Sequence, residues 1–201
     1  MTDSPVAPDS SADPGTLALA FVNTVRIEDG RATDTVPSPR ALAAWLHDEG
    51  VLAAAAVRQL SASPPEARIL LDEAHRLRTE LHRAVVAFAA GAPLSPTLLP
   101  ALNRSLRLRR NSLEAVDGAR GIVVEERREP APVAALLAPL AKDAVALLRE
   151  DPGRVRQCHA TTCSLWFLDT SKNGSRKWCS MARCGNRAKA AAHYRRAQDE
   201  A

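Results

Sequence analysis

The stretch Arg176–Arg196, RKWCSMARCGNRAKAAAHYRR, decides how this chain is interpreted. It contains two of the four cysteines, a tryptophan beside the first of them, and a run of arginine and lysine after the second. A close pair of cysteines is typical of a metal-binding knuckle, and a basic helix beside it is typical of a surface for a polyanion. The stretch therefore predicts a C-terminal module that is held together by a metal ion.

All the cysteines fall into two such pairs, Cys158-x4-Cys163 and Cys179-x4-Cys184, with 15 residues between the pairs. A short loop lets the sulfurs of one pair converge, and the longer segment lets the two pairs face each other in a tetrahedron. Four thiolates leave no coordination position open for a substrate, so such a site is structural. The spacing predicts one structural Zn²⁺ bound by Cys158, Cys163, Cys179 and Cys184, and in a reducing compartment this is favoured over disulfides.

The residues around the cysteines predict the rest of the module. Residues 164–180 predict a hairpin with its turn at Asn173-Gly174, and the residues after Cys184 predict a helix with Asn186 as its N-cap. Knuckle, hairpin, second knuckle and helix, in this order, predict a treble-clef-like four-cysteine zinc module.

The charge is distributed unevenly along the chain. Residues 1–153 contain 17 Lys and Arg against 20 Asp and Glu, whereas residues 154–201 contain 10 against 3, so the net charge changes from −3 to +7. A folded module with this excess repels itself unless a polyanion binds, which favours nucleic acid as the partner over a merely solvated face. The candidate contacts are Lys172, Arg176, Lys177, Arg183, Arg187, Lys189, His193, Arg195 and Arg196.

The upstream residues predict a mostly helical body. Ser38-Pro39 and Gly50 are start and stop signals for one helix, and a capping-box pattern at Ser63 and Glu66, with Gly91 at the far end, bounds a longer one. Further helices are predicted over residues 15–27, 95–110 and 132–150, and a hairpin over 112–129. Pro100 is expected to kink its helix or move the start of that helix later, and Pro139 is expected to kink the last one. The fold class is mainly α with a small β-hairpin, comprising a helical N-terminal domain and the C-terminal zinc module.

The domain boundaries follow from composition. The acidic, Pro- and Ser-rich start predicts a disordered tail over residues 1–15. The Pro152-Gly153 turn signal coincides with the change of net charge. The sequence thus predicts a helical domain over 16–153 and the zinc module with its basic helix over 154–201. No signal peptide and no apolar run of about 20 residues is recognised, which predicts a cytoplasmic protein without a membrane partner. No catalytic motif is recognised either, so no enzyme is predicted.

Several segments resemble a known family. The C-x4-C pair, FLDTS at Phe167–Ser171 and RKWCSMARCGNRAKA at Arg176–Ala190 resemble the CGNR zinc finger. Upstream, LALAFVNTV, SPRALAAWL, ARILLDEAHRLRTELHRAV, ALNRSL and LLAPLAKDAVALL resemble, in the same order, the ABATE domain that precedes this finger. The resemblance covers about residues 16–197. It implies a bacterial, stress-responsive transcription regulator in which the cysteines bind zinc and the following helix, with Asn186, binds DNA.

The role of the N-terminal domain stays open between sensing and assembly, and a homodimer is one form of the latter. An unidentified small-molecule effector would be bound in a pocket lined by Asn23, Thr24, Arg76 and Arg78. The alternative is that Asn23 satisfies a neighbouring backbone group. Two other functions also remain open: an RNA- or ribosome-binding zinc protein, and an adaptor whose zinc module docks an acidic protein partner.

Overall fold

The computed structural model of the chain describes residues 14–28, 30–107, 111–118, 121–128 and 133–199. It contains a 3-10 helix at Val133–Leu137, another at Pro152–Arg154, and a π-helical turn at Met181–Gly185. The described part of the chain is mostly helical with small antiparallel hairpins, so the predicted fold class is confirmed. In chain order its elements are α1 Leu17–Val22, β1 Val25–Glu28, β2 Arg31–Asp34, α2 Pro39–Asp48, α3 Ala54–Ala62, α4 Pro64–Ala89, α5 Leu98–Arg107, β3 Asn111–Gly118, β4 Gly121–Arg128, α6 Ala138–Leu147, β5 Val155–Gln157, β6 Trp166–Leu168 and α7 Asn186–Asp199.

The long helix α4 organises the helical body. Its buried face carries Leu70, Leu77, Leu81 and Val85, and α1, α2, α3 and α5 all contact it. The short helix α1 also packs against α6, and its Phe21 side chain is fully buried in the shared core. Burial of this apolar stripe, rather than helix propensity alone, is what stabilises such an arrangement.

Some of the predicted helix ends are confirmed. The Ser38 hydroxyl accepts a hydrogen bond from the Ala41 N–H at the start of α2. At the end of α4, Gly91 adopts a φ of 63°, a conformation that a residue with a Cβ rarely takes, and its N–H donates to the Phe88 carbonyl. The predicted capping box is wrong, because the Ser63 side chain makes no cap hydrogen bond and only its backbone carbonyl accepts, from the Ala67 N–H.

The predicted helix over residues 15–27 is wrong in its second half. The helix α1 ends at Val22, and β1 then pairs with β2 in a hairpin. Val25 has helical spacing with Leu17 and Phe21, but Val25 and Ile27 are each 49% exposed and neither continues the buried stripe. Both are β-branched, which favours the extended conformation found here. The helix α3 was not predicted.

Both prolines of the later helices lie in a first turn. The helix α5 begins at Leu98, two residues before Pro100, and α6 begins at Ala138, immediately before Pro139. The missing N–H of proline costs nothing in a first turn, so the later start that was predicted at Pro100 is confirmed. At Pro139, where a kink was predicted, the 3-10 helix Val133–Leu137 changes to the α-helix α6. The predicted hairpin over 112–129 is confirmed as β3 and β4.

The zinc module packs directly on the helical body. Val155 of β5 and Trp166 of β6 belong to the same buried cluster as Leu19 and Phe21 of α1. The Leu168 N–H also donates to the Pro14 carbonyl at 2.9 Å, so residue 14 of the predicted tail contacts β6, while residues 1–13 lie outside the described part of the chain. The domain boundary at residue 153 stays a prediction.

Candidate metal centre and basic groove

The first cysteine pair lies in the loop between β5 and β6. The two strands are antiparallel, with Gln157 opposite Trp166. In the loop, the Cys158 N–H donates to the Leu165 carbonyl at 2.8 Å and the Cys163 N–H donates to the Ala160 carbonyl at 3.0 Å. These bonds turn the backbone tightly on either side of the loop, which brings the two sulfurs of the pair together.

The predicted hairpin over residues 164–180 is therefore wrong. The strand β6 pairs backwards with β5 and not forwards with the residues that follow the Asn173-Gly174 turn. The turn itself is present, because the Gly174 N–H donates to the Ser171 carbonyl at 3.2 Å. The chain then runs without a further strand to the second cysteine pair. The knuckles and the following helix keep their predicted order.

The side chain of Arg176 supports the second knuckle. Its guanidinium donates to the Trp178 carbonyl at 3.0 Å and to the Cys179 carbonyl at 2.5 Å, and it lies 4.5 Å from the centre of the Phe167 ring. Charge-assisted bonds of this kind are stronger than bonds between neutral groups, and the ring face attracts the cation further. Arg176 was predicted as a DNA contact, and in the structure it also holds the backbone beside Cys179.

A buried carboxylate organises the loop before Arg176. Asp169, which is 0% exposed, accepts bonds from the N–H and hydroxyl of Ser171 and from the N–H of Arg176. Burial raises the pKa of Asp169, but these hydrogen bonds and the Arg156 charge outweigh burial and lower its pKa below the usual value. Asp169 thus remains ionised and connects β6 to the second knuckle.

The second cysteine pair is continuous with the start of α7. The Cys184 and Gly185 N–H groups both donate to the Ser180 carbonyl, at 3.1 and 3.0 Å. The helix α7 begins at Asn186, but the π-helical turn from Met181 leads directly into it, so the prediction that Asn186 is an N-cap outside the helix is wrong. Asn186 has helical φ and ψ of −67° and −39°, and its side-chain amide donates to the Ala182 carbonyl.

Glycine at position 185 is explained by close packing. A Cβ added there would lie 2.6 Å from the Met181 sulfur and 3.2 Å from Cδ1 of Trp178. Both distances are shorter than ordinary van der Waals contact, and the ring of Trp178 is held by its neighbours, among them the edge-on His159 ring at 6.1 Å. Gly185 therefore lets the knuckle and the first turn of the helix approach each other.

The four thiols form a compact cluster of potential metal ligands. Cys158, Cys163, Cys179 and Cys184 are at most 8% exposed, and their sulfurs lie within 4.8 Å of one another. The Cys163 and Cys179 sulfurs are 3.8 Å apart, and those of Cys179 and Cys184 are 3.6 Å apart. In a tetrahedral site with Zn–S bonds of about 2.3 Å, neighbouring sulfurs lie about 3.8 Å apart. The cluster therefore fits a zinc ion in both ligand chemistry and size.

The thiols are also electrostatically unequal. The hydrogen bond between Cys163 and Cys179 lowers the pKa of Cys163 to about 5 and raises the pKa of Cys179. Burial raises the pKa of Cys184 to about 11. Thiolates packed this closely repel each other, so the cluster as a whole can ionise only with a cation at its centre. A bound divalent metal ion would supply that charge.

A cationic groove lies between the second knuckle and α7. Its volume is about 640 Å³, and Lys177 and Lys189 are exposed where they line it. Trp178 and Met181 contribute apolar surface, so the groove offers both charge and a flat ring to a ligand. The complete lining is Ser171, Ser175, Arg176, Lys177, Trp178, Cys179, Ser180, Met181 and Lys189.

The remaining predicted nucleic-acid contacts do not belong to the groove lining. Lys172 is exposed in the turn after β6, Arg183 is half-buried in the π-helical turn, and Arg187 and Arg196 are exposed on α7. The side chains of His193 and Arg195 lie outside the described part of the chain. Among the described candidates, Arg176, Lys177 and Lys189 thus come together in the lining of the groove.

The predicted effector residues do not form one site. Asn23 bonds with the backbone of Trp166, with its amide donating to the carbonyl at 2.8 Å and its oxygen accepting from the N–H at 2.9 Å. This agrees with the alternative that Asn23 satisfies a backbone group. Arg76 lies elsewhere, on the surface of α4, and donates to Glu73 at 2.9 Å.

Thr24 and Arg78 do come together, but around an acid that the sequence did not single out. The buried Arg78 guanidinium donates to the Thr24 hydroxyl at 2.8 Å and to both carboxylate oxygens of Asp34, at 2.9 and 2.7 Å. Burial raises the pKa of Asp34, but the bonds from Arg78 and from the Val36 N–H, with the charge of Arg78, outweigh burial and lower it. The position of the charged Arg78 within the apolar stripe of α4 was the one signal in the sequence for this ion pair.

A helical body joined to a four-cysteine zinc finger is the class of protein that this fold and site define. Residues 154–197 match the family described as "CGNR zinc finger", and residues 15–151 match ABATE, described as "Putative stress-induced transcription regulator". The ABATE match covers more than half of the chain, so the protein belongs to the ABATE family, with a CGNR zinc finger after the ABATE domain. The resemblance seen in the sequence is confirmed.

A comparison with curated proteins found no match. Neither matched family is described as an enzyme family. Among the helices of the described residues, none is long and apolar enough to cross a membrane.

Proposed function

We propose that this protein is a zinc-dependent, DNA-binding transcription regulator. One structural Zn²⁺ is bound by Cys158, Cys163, Cys179 and Cys184, and DNA is contacted by the groove beside α7. The observation that carries the proposal is the position of this cationic groove directly on the cysteine cluster, with Cys179 itself in its lining. The family description of the ABATE domain supports a role in transcription.

The zinc ion acts as a structural element in this proposal. When bound, it joins the two knuckles and fixes the angle at which α7 leaves the second one. The chain contributes the rest: Arg176 holds the knuckle backbone, and Gly185 permits close packing of the helix start. A basic helix that is held rigidly loses little conformational entropy when it binds a ligand, which favours affinity.

DNA contacts are assigned by charge and position. Lys177 and Lys189 line the groove, and Lys172, Arg187 and Arg196 are exposed at other positions of the zinc module. Lysine and arginine at such positions bind phosphates, and an arginine at a groove edge can also read guanine. Arg176 has a second role among the candidates, because it also donates to the carbonyl oxygens of Trp178 and Cys179 and so positions the second knuckle. The complete proposed set is Lys172, Arg176, Lys177, Arg183, Asn186, Arg187, Lys189, His193, Arg195 and Arg196.

The helical body senses an effector or mediates assembly, for example as a homodimer, in the bacterial cytoplasm. The direct packing of β5 and β6 on this body supports such a role, because a change in α1 can reach the zinc module through Asn23. No catalytic step is part of the proposal.

The test is binding of the zinc-loaded full chain to its own upstream DNA, measured by fluorescence anisotropy over a range of salt concentrations. Scrambled DNA of the same composition and a structured RNA serve as competitors. We expect preference for the upstream DNA and loss of binding after chelation of zinc. Double charge reversal of Arg187 and Lys189 should weaken binding and leave the zinc content unchanged.

Other outcomes identify other functions. Preference for the RNA would indicate an RNA- or ribosome-binding zinc protein. Equal and strongly salt-dependent binding to every nucleic acid would indicate a general polyanion surface, as expected for an adaptor that docks an acidic protein. Either result would overturn the proposal of a DNA-binding regulator.

A further inference from the structure

An open pocket of about 620 Å³ lies between α4 and α5, and residues 73–105 provide its whole lining. Its volume falls within the range of roughly 300–1,000 Å³ that is usual for small-molecule sites. It shares no lining residue with the groove beside the cysteine cluster. The pocket is therefore a separate candidate site on the helical body.

The inner wall of the pocket is largely apolar. Leu77 is 3% exposed and lies on the buried face of α4, and Pro100 and Ala101 of α5 line the opposite side. Ser105, which is 5% exposed, adds a hydroxyl to the same wall. This composition suits a ligand with an apolar body, because contact with these residues removes apolar surface from water.

At one end of the pocket, two arginines lie beside a single acid. Glu73 accepts from Arg76 at 2.9 Å, whereas the nearest distance from Glu73 to Arg104 is 3.8 Å, which is too long for a hydrogen bond. Both arginine side chains are well exposed at the rim, at 65% and 64%, while that of Glu73 is 17% exposed. Two guanidinium groups thus share one carboxylate.

The second acid of the pocket, Glu80, already accepts hydrogen bonds from other groups. Glu80 accepts from the Thr97 hydroxyl at 2.7 Å and from Arg83 at 2.8 Å. The uneven end of the pocket is therefore the one at Glu73, where a second carboxylate would give each guanidinium a partner. Arginine suits this role because its planar group binds a carboxylate through two parallel hydrogen bonds.

We propose that this pocket binds a small organic acid with an apolar body. The carboxylate of the ligand lies between Arg76 and Arg104, and its apolar body contacts Leu77, Pro100 and Ala101. The pocket and its charges support ligand binding independently of DNA binding. A test of one proposal therefore does not decide the other.

The test uses hexanoate and hexylamine as matched probes, each titrated calorimetrically into the zinc-loaded full chain. We expect saturable one-to-one binding of hexanoate and none of hexylamine. Arg104→Gln and Arg76→Gln should each weaken hexanoate binding by about tenfold, as expected for loss of a charge-assisted contact. Arg68→Gln is the matched control, because Arg68 is an exposed arginine of α4 that pairs with Asp72 outside the pocket lining.

Glu73→Gln provides a readout that a purely structural role would not produce. Removing this carboxylate frees both guanidinium groups, so hexanoate should bind more tightly to this variant than to the wild type. Binding of hexylamine, absence of saturable hexanoate binding by the wild type, or equal loss in Arg68→Gln would each overturn the proposal. Because DNA is absent from every titration, none of these results bears on the DNA-binding proposal.

Discussion

Asn23 and Trp166 are joined by a reciprocal pair of hydrogen bonds, in which the Asn23 amide both donates to and accepts from the backbone of Trp166. The two residues lie 143 positions apart, one after α1 and the other in β6 beside the first cysteine pair. The Asn23 side chain thus provides a hydrogen-bond partner for both the N–H and the carbonyl of Trp166 in β6. This contact ties the zinc module to the helical body.

Asn23→Ala should reduce the free energy of unfolding by about 1–3 kcal/mol, because it leaves the Trp166 N–H and carbonyl buried without these partners. Urea unfolding of the zinc-loaded protein measures the effect. Asn103→Ala, at an exposed position of α5, is the control and should change stability little. An equal effect of the two substitutions would contradict a special role for Asn23.

Cys163→Ser should abolish stoichiometric zinc binding. Structural zinc contributes about 10–16 kcal/mol of folding free energy in zinc-finger peptides, so we also expect the module to unfold and α7 to lose helicity. Elemental analysis and circular dichroism report the two effects. Thr162→Ser, at the exposed neighbouring position, should retain both metal and helicity. A full zinc equivalent in Cys163→Ser would remove this cysteine from the ligand set.

Asp34→Asn should destabilise the helical body by about 1–2 kcal/mol, because Arg78 is buried and loses its anionic partner, although partial exposure of Asp34 moderates the loss. The pKa of Asp34 is lowered in the folded state, so the contribution of its charge is complete above the unfolded pKa of about 4. It is lost as the pH falls further, through the folded pKa.

The stability difference between the wild type and Asp34→Asn should therefore be constant from neutral pH down to about pH 5 and shrink below about pH 4. Denaturant unfolding at several pH values measures it, with the exposed Asp48→Asn as the control. A difference that grows towards low pH would have the wrong sign.

Asp169→Asn should loosen the second knuckle without removing a metal ligand. The amide cannot accept from Ser171 and Arg176 as strongly as the buried carboxylate does, so the backbone beside Cys179 loses part of its support. We expect zinc to be released to a chelator faster than from the wild type, with one equivalent still bound at the start. The exposed Asp151→Asn, before β5, is the control. An unchanged release rate would show that Asp169 does not support the knuckle.

Lys189→Gln should reduce the salt dependence of DNA binding by about one unit in the slope of log K against log salt, because one phosphate contact is removed. The loss should be similar for upstream and scrambled DNA. Lys142→Gln, at an exposed position of α6 away from the zinc module, is the control. The same change of slope in both variants would place the contact elsewhere.

Local signals were sufficient for much of this fold. Ser38 and Gly91 mark helix ends that the structure confirms, and the cysteine spacing identified the four thiols that cluster. Each of these predictions depends on residues that are close in the sequence, or on a spacing such as that of the cysteines, which is compatible with few geometries.

The errors concern contacts between residues that are far apart. The spacing of Val25 from Leu17 and Phe21 was compatible with a helix, and only pairing with β2 shows that Val25 belongs to a strand. The strand β6 was predicted to pair with the residues after the Asn173-Gly174 turn. It pairs with β5 instead, and no turn motif between β5 and β6 indicated this pairing in the sequence. Asp34 could not be recognised as a functional partner of Arg78, because 44 residues separate them and neither lies in a motif.

The shared core of β5, β6 and α1 has a thermodynamic consequence. Since Val155 and Trp166 are buried together with Leu19 and Phe21, any ligand that stabilises the cysteine cluster also stabilises the helical body by mass action. Above the dissociation constant, each tenfold rise in free zinc should add about 1.4 kcal/mol to the stability of the joined structure. The folded population of the whole chain, and its lifetime against proteolysis, would then follow the zinc supply of the cell.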